Sequence, residues 1–347
     1  MKIYFDIKET YYVPQFLPVF NILSLSSQFE VSFIFHESAE NSIEHIERVI
    51  ESEGIKNYST LLKSHEVLNF YKEQKPDWIF LGNTSLDCEK YLAFSKTALM
   101  QHGIGPKKCY YDVSKIKTTV RFVEGDKRLR RLQRLFPEQE FVNTGFAKLD
   151  PIAMKSHLNS GTILYAPTFY PSSLELLPES FPAMFSDYKL IIKPHSFSWK
   201  KAKYKKQRKK LDLWSTYDNT EVVREDDINI IPYMDCADIL ISDASSVIFE
   251  FLALNKPVVW THFFKLRWSY RGPFRSRLNK RLDTDIDFFK ESCYECSSPS
   301  SLKESVSYLY ENPDFKKKER DQIVQDLVGL VDGKCAERIV NYIQEYE

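Results

Sequence analysis

The chain has 347 residues, and its 48 Lys+Arg balance 48 Asp+Glu, so it carries no formal net charge. That balance argues against nucleic acid as a partner, and a hydrophobic content of 43% excludes a disordered chain. The length exceeds one ordinary core and suits two domains.

In chain order, short apolar runs alternate with longer amphipathic stretches. The first half predicts strands at 2–7, 31–36, 78–81, 98–101, 120–123 and 141–142, with helical patterns over 16–27, 42–53 and 61–73. Asp-Pro and Asn-Ser-Gly cluster around 149–161 and mark a boundary. The second half predicts strands at 163–165, 190–193, 228–231, 239–241 and 258–260, and helices over 302–310 and 315–346. Continuous apolar strands between helices imply parallel sheets covered on both faces. The expected architecture is therefore α/β, with two Rossmann-like doubly wound domains, 1–150 and 151–330. A helix over 331–347 is expected to pack back across the junction. No apolar run approaches the ~18–20 residues of a membrane span. The first strand starts at Lys2, leaving no room for a signal peptide, so a cytoplasmic protein is expected.

Ligands of open α/β sheets sit beyond the carboxyl ends of the strands, which singles out several loops. The apolar run 239–241 is followed by Ser242-Asp243-Ala244-Ser245-Ser246, and then by a helical apolar period from Val247 that Asn255-Lys256-Pro257 stops. Strand, polar turn and helix N-terminus place unpaired N–H groups and two hydroxyls at one point. That point suits a phosphate or pyrophosphate, or is a helix cap and nothing more. Tyr11 and Tyr12 follow the first strand as an aromatic loop entering a helix, or as one wall of a cleft. His102-Gly103 follows the fourth, in a Gly-x-Gly-Pro turn ending at Lys107. A neutral imidazole titrating near 6.5 suits a general base for a hydroxyl. Lys193-Pro194-His195 closes a strand of the second half, and Thr168 follows another. The remaining histidines, His36, His45, His65, His157 and His262, read as structural.

These elements, in this order, resemble the CDP-glycerol:glycerophosphotransferase family. Residues 237–257 are similar to its D-x-L-I-(S/T)-D-(Y/A)-S-S-x-x-F-(D/E) signature, and Arg271-Gly272 to its R-G element. His102 and Lys107 match its H-G-(T/I)-x-x-K element, Thr144 to Asp150 its T-G-x-x-R-x-D linker, and Tyr165-Ala-Pro-Thr168 its Y-A-P-T. Lys193-Pro194-His195 resembles its K-x-H-P with the order shifted. Lys148 and Tyr170 stand where the family has Arg. The resemblance implies a glycosyltransferase-B-like fold, its two domains facing across a cleft. It implies transfer of a polyol phosphate, most simply glycerol phosphate from CDP-glycerol, to a lipid-linked or glycan hydroxyl with release of CMP, in teichoic-acid or capsule synthesis. His102 would be the base and His195 a second catalytic group. Thr168, Lys193, Ser242, Asp243, Ser245, Ser246 and Arg271 would hold the donor, with Tyr11, Tyr12, Gly103 and Lys107 on the acceptor side. No cofactor or metal is implied beyond the substrate. A nucleotide-sugar glycosyltransferase or UDP-sugar 2-epimerase would share such a fold, and the two departures leave room for a weakened, membrane-docked scaffold.

Two basic runs stand apart. Residues 200–210 hold eight Lys or Arg in eleven positions, flanked by Trp199 and Trp214, and 267–281 holds six. Both read as solvated faces, or as contacts for an anionic inner-membrane surface. Six cysteines are present, of which only Cys293 and Cys296 are closely spaced. Without a second pair or a nearby histidine, reduced thiols are expected rather than zinc or redox chemistry.

Overall fold

The structure, a computed structural model, describes residues 1–38, 41–105, 108–152, 160–243, 245–266 and 287–346. Lys107, Arg271, His157 and the basic run 267–281 lie outside them. The chain forms two compact units, Met1–Met154 with Gln325–Glu347, and Lys155–Val324.

The first unit is built on seven parallel strands: β1 (Lys2–Ile7), β2 (Glu30–Glu37), β3 (Tyr58–Lys63), β4 (Trp78–Leu81), β5 (Lys96–Met100), β6 (Val120–Val123) and β7 (Phe141–Asn143). Their order across the sheet is β3-β2-β1-β4-β5-β6-β7. Strands β4 and β6 are buried along their whole length, as an all-parallel sheet with helices on its faces requires. Phe5, Phe16, Phe20, Phe33 and Phe80 pack as one aromatic cluster beneath the helix Val13–Ser24. Two histidines read as structural are buried and paired: His36 Nε2 lies 2.7 Å from Asp6 Oδ1, and His45 Nε2 lies 3.1 Å from Thr10 Oγ1.

The helix Cys335–Glu345 completes this unit. It buries Ile339, Val340 and Ile343 on one face and packs against Val13–Ser24. Asp150 caps it, its carboxylate accepting from Cys335 N at 3.2 Å and Ala336 N at 2.7 Å. Arg338 donates to Thr144 O at 2.8 Å. A Cβ at Gly145, where φ is +94°, would come 2.9 Å from Leu330 O. The Thr144–Asp150 motif therefore seats this helix. Lys148 lends it a backbone N–H to Gln15 Oε1 at 3.1 Å.

The second unit repeats the plan with six parallel strands: β8 (Thr162–Tyr165), β9 (Lys189–Ile192), β10 (Thr220–Val222), β11 (Ile239–Ser242), β12 (Val258–Thr261) and β13 (Tyr294–Cys296). Their order is β10-β9-β8-β11-β12-β13. Its core gathers Tyr165, Phe181, Phe185, Trp214, Ile241 and Leu302.

Two expectations need correction. The pattern read as a helix over 61–73 is a strand to Lys63 and then a helix Val67–Gln74. The predicted strand 228–231 is instead the approach to a helix, Ile231–Cys236, which begins at a proline. The edge strand of that sheet is Thr220–Val222, and the opposite edge, β13, lies on the Cys293–Cys296 pair. Both cysteines are buried, and burial pushes the Cys293 thiol up to about 12, so it is inert as a nucleophile.

Candidate functional site

In each unit the strand order reverses beside the first strand, between β1 and β4 and between β8 and β11. Loops leaving the carboxyl ends of neighbouring strands diverge there, which is where open α/β sheets bind ligands. The singled-out residues in the described regions fall on these loops or on those one strand away.

In the first unit, Tyr11 and Tyr12 leave β1, Gly82 and Asn83 leave β4, and His102 and Gly103 leave β5. His102 is half-buried and lies in an aromatic box. Tyr12 stacks on its ring at a centroid distance of 4.9 Å and 25°, and Tyr11 meets it edge-on at 5.1 Å. The imidazole Nδ1 is 3.0 Å from Gly82 O. A carbonyl can only accept, so Nδ1 bears the proton, and the basic lone pair of the neutral ring belongs to Nε2. The following turn is held from beneath. Arg128 donates to Gly105 O at 2.5 Å and pairs with Glu124 at 2.5 Å, both side chains being buried. Gly105, at φ +104°, adopts a backbone that a side chain would strain.

In the second unit, His195 ends the β9 loop and has the opposite tautomer. It is the N-cap of the helix Ser196–Lys200, and its Nδ1 accepts from Phe197 N at 3.1 Å. Nε2 then carries the proton, making that side of the ring a hydrogen-bond donor. Phe169 and Phe197 hold that ring at centroid distances of 4.8 Å each. One histidine thus carries its ring proton on Nδ1 and the other on Nε2.

Asp243, in the β11 turn, is buried among donors. Its carboxylate accepts from Thr168 N at 2.7 Å, Ser172 Oγ at 3.1 Å, Ser173 N at 3.0 Å and Ser173 Oγ at 3.2 Å. Burial outweighs these bonds and raises its pKa from 3.8 to about 6. The carboxylate thus ties the Thr168–Ser173 loop to the β11 turn. Ser242 is likewise buried, its hydroxyl donating to Ala166 O at 2.6 Å. Ser245 and Ser246 are half-buried ahead of the short helix Val247–Leu252, with Ser245 Oγ accepting from Val247 N at 3.4 Å. Lys193 donates to Asp227 O and lies over the Tyr233 ring at 5.1 Å. Tyr170, standing where the family pattern has Arg, is buried.

The 200–210 run is not one uniform cationic face. Arg208 donates to Ser198, Trp199 and Lys201 carbonyls, and Lys210 to those of Leu174, Glu175 and Leu177. Trp199 and Trp214 are buried in the core rather than anchoring a surface. Lys203, Lys205, Lys206 and Lys209 remain exposed. Among the described residues no helix is long and apolar enough to cross a membrane, and no group of three or more His, Cys, Asp or Glu is placed to hold a metal ion.

Gly82, Gln101, Phe169 and Phe197 were not anticipated. A glycine directly after the Trp78–Leu81 run was the available signal for the first. The others show only once the strands are assembled.

Two parallel doubly wound sheets with their chemistry-bearing loops at the switch points define an α/β protein of the glycosyltransferase-B type. The same fold is present in the wall teichoic acid polymerase TagF, with a TM-score of 0.69 and 13% identity over 99% of this chain and 88% of that one. It is present in S. aureus MnaA solved with UDP, with a TM-score of 0.63 and 13% identity over 99% and 96%. UDP-GlcNAc 2-epimerase from Neisseria meningitidis bound to UDP-GlcNAc gives a TM-score of 0.60 and 14% identity over 99% and 100%. No curated protein sequence matches. Residues 140–345, more than half of the chain, match the CDP-Glycerol:Poly(glycerophosphate) glycerophosphotransferase family, and the chain belongs to that family of transferases.

Proposed function

We propose that the protein transfers a polyol phosphate, most simply glycerol phosphate from CDP-glycerol, to a hydroxyl acceptor in the synthesis of a teichoic-acid-type envelope polymer. The observation that carries this reading is the pair of fixed tautomers, His102 basic at Nε2 and His195 protonated at Nε2, on a chain of this family. In this reading His102 Nε2 takes the acceptor hydroxyl's proton as its oxygen forms a bond to the donor's β-phosphorus. The bond from that phosphorus to the bridging oxygen breaks, and CMP leaves with the electron pair. His195 Nε2–H, with the backbone N–H groups and hydroxyls around Ser245 and Ser246, stabilises the phosphate charge. The acceptor is a lipid-linked or glycan hydroxyl.

The test is a panel of CDP-polyols and UDP-sugars incubated with a lipid-linked acceptor, assayed for released CMP or UDP. CMP release with CDP-glycerol or a related polyol supports the reading. UDP release, or epimerisation of UDP-GlcNAc, replaces it with the chemistry of the other proteins that share the fold.

A further inference from the structure

We propose that Gly82 is the positioning residue that sets His102 as a base, an inference that rests on the role given to His102 above. Gly82 acts on the imidazole in two ways at once. Its carbonyl accepts from Nδ1 at 3.0 Å. Reversing the tautomer would set the Nδ1 lone pair against the oxygen lone pairs at that distance, so the bond selects the form whose lone pair is on Nε2. The absence of a side chain is the second way. A Cβ at this position would lie 2.5 Å from Tyr12 Cδ2 and 2.6 Å from Cγ, closer than carbon atoms approach. The Tyr12 ring occupies that space and, from there, stacks on His102. Tyr12 is itself buried and cannot swing into solvent.

Gln101 can be accommodated by the same tautomer. Its Oε1 is buried with no hydrogen-bond partner, and its other amide atom lies 3.3 Å from the same Nδ1. Two N–H groups facing each other repel. A carboxamide turned by half a rotation puts the orphaned oxygen at Nδ1–H, giving that proton two acceptors and pairing the buried atom. With the amide turned, the Nδ1–H tautomer pairs with Gly82 and Gln101 together, whereas the reverse tautomer could accept from the Gln101 amide only by setting its lone pair against Gly82 O.

The strand order explains why a glycine does this. β4 lies between β1 and β5, so its first loop residue sits between the loops carrying Tyr12 and His102. Only a residue without a side chain leaves room there for the Tyr12 ring, and so for its stack on His102.

The experiment reads the His102 ring nitrogens by long-range ¹H–¹⁵N NMR, above the imidazole pKa, in wild type, Gly82→Ala and Gly82→Ala/Tyr12→Ala. Turnover is measured on the same samples. Wild type is expected to show Nδ1 protonated and Nε2 bare. Gly82→Ala is expected to displace the Tyr12 ring, mix the tautomers and lower kcat at least about tenfold, while donor KM stays within about twofold. The double variant removes the ring atoms at 2.5 and 2.6 Å, leaving only a Cβ at 3.1 Å, and is expected to restore the Nδ1–H signal with part of the kcat. A wild-type His102 protonated at Nε2, or a Gly82→Ala protein with unchanged tautomer and kcat, overturns the proposal. The NMR result stands apart from the reaction: the expected tautomers without turnover of any CDP-polyol would uphold the role of Gly82 and remove the assigned chemistry.

Discussion

Asp243→Asn tests whether burial or hydrogen bonding governs the acid at the centre of the second unit's switch point. The carboxylate serves donors on both oxygens, Thr168 N on one and Ser172 and Ser173 on the other. An asparagine has one oxygen, so either the Thr168 or the Ser173 N–H loses its acceptor, at about 1–3 kcal/mol in any pH range. Wild type carries a pH-dependent component as well. Its pKa rises from 3.8 to about 6 on folding, so between those values the folded chain binds more protons than the unfolded chain. Stability from this group is therefore full below about pH 4 and falls as pH rises through about 6. At 1.36 kcal/mol per unit, the fall is about 3 kcal/mol. The variant lacks it. The measurement is urea unfolding of both proteins from about pH 4 to about pH 8, compared as paired differences. Wild type should be the more stable at the acid end, and the difference should move by about 3 kcal/mol in the variant's favour by neutral pH. A constant difference, or one moving the other way, would show that the four donors outweigh burial.

His102→Ala should lose about 10²–10⁴-fold in turnover with donor affinity near wild type, whereas His195→Ala should damage both; a folded His102→Ala protein keeping more than about a tenth of the rate would rule out this base. Ser245→Ala with Ser246→Ala should weaken CDP binding more than CMP binding in calorimetry, each bond to a charged phosphate being worth about 1.5–3 kcal/mol. Equal losses would place both hydroxyls away from the terminal phosphate. The exposed lysines of 200–210 should bind vesicles in proportion to anionic lipid, at about 1 kcal/mol per lysine. That binding should fade as salt shortens the screening length from about 10 Å at 0.1 M to about 3 Å at 1 M, and co-sedimentation indifferent to salt would contradict it.

The central strands were readable because burial on both faces leaves an unbroken apolar run, as in Trp78–Leu81 and Ile239–Ser242. Edge strands carry no such mark. Thr220–Val222 is short and partly exposed, while the more apolar 228–231 stretch meets Pro232 and turns into a helix. Candidate histidines were visible from their position after strands, but their tautomers were not. Those depend on Gly82, 20 residues before His102, and on Phe197, two residues past His195. Asp243 was assigned to the donor site from its place in the family signature, which says nothing of what its carboxylate bonds. Its actual partners lie 70 to 75 residues earlier in the chain.

The first unit is discontinuous in the chain, and this sets an order of events during synthesis. Its seven strands have all emerged by Asn143, yet the helix that covers Val13–Ser24 comes only at Cys335–Glu345. The tyrosine that bonds Glu140, Tyr342, arrives 202 residues later. Until then a nascent chain displays the apolar surface meant for Ile339, Val340 and Ile343, while the continuous Lys155–Val324 segment already holds everything its own core requires. The second unit can therefore mature first, with the first waiting on the last helix for closure. A single proteolytic cut between 328 and 334 would leave that cover held to the first unit by packing and hydrogen bonds alone, with the second unit's chain intact.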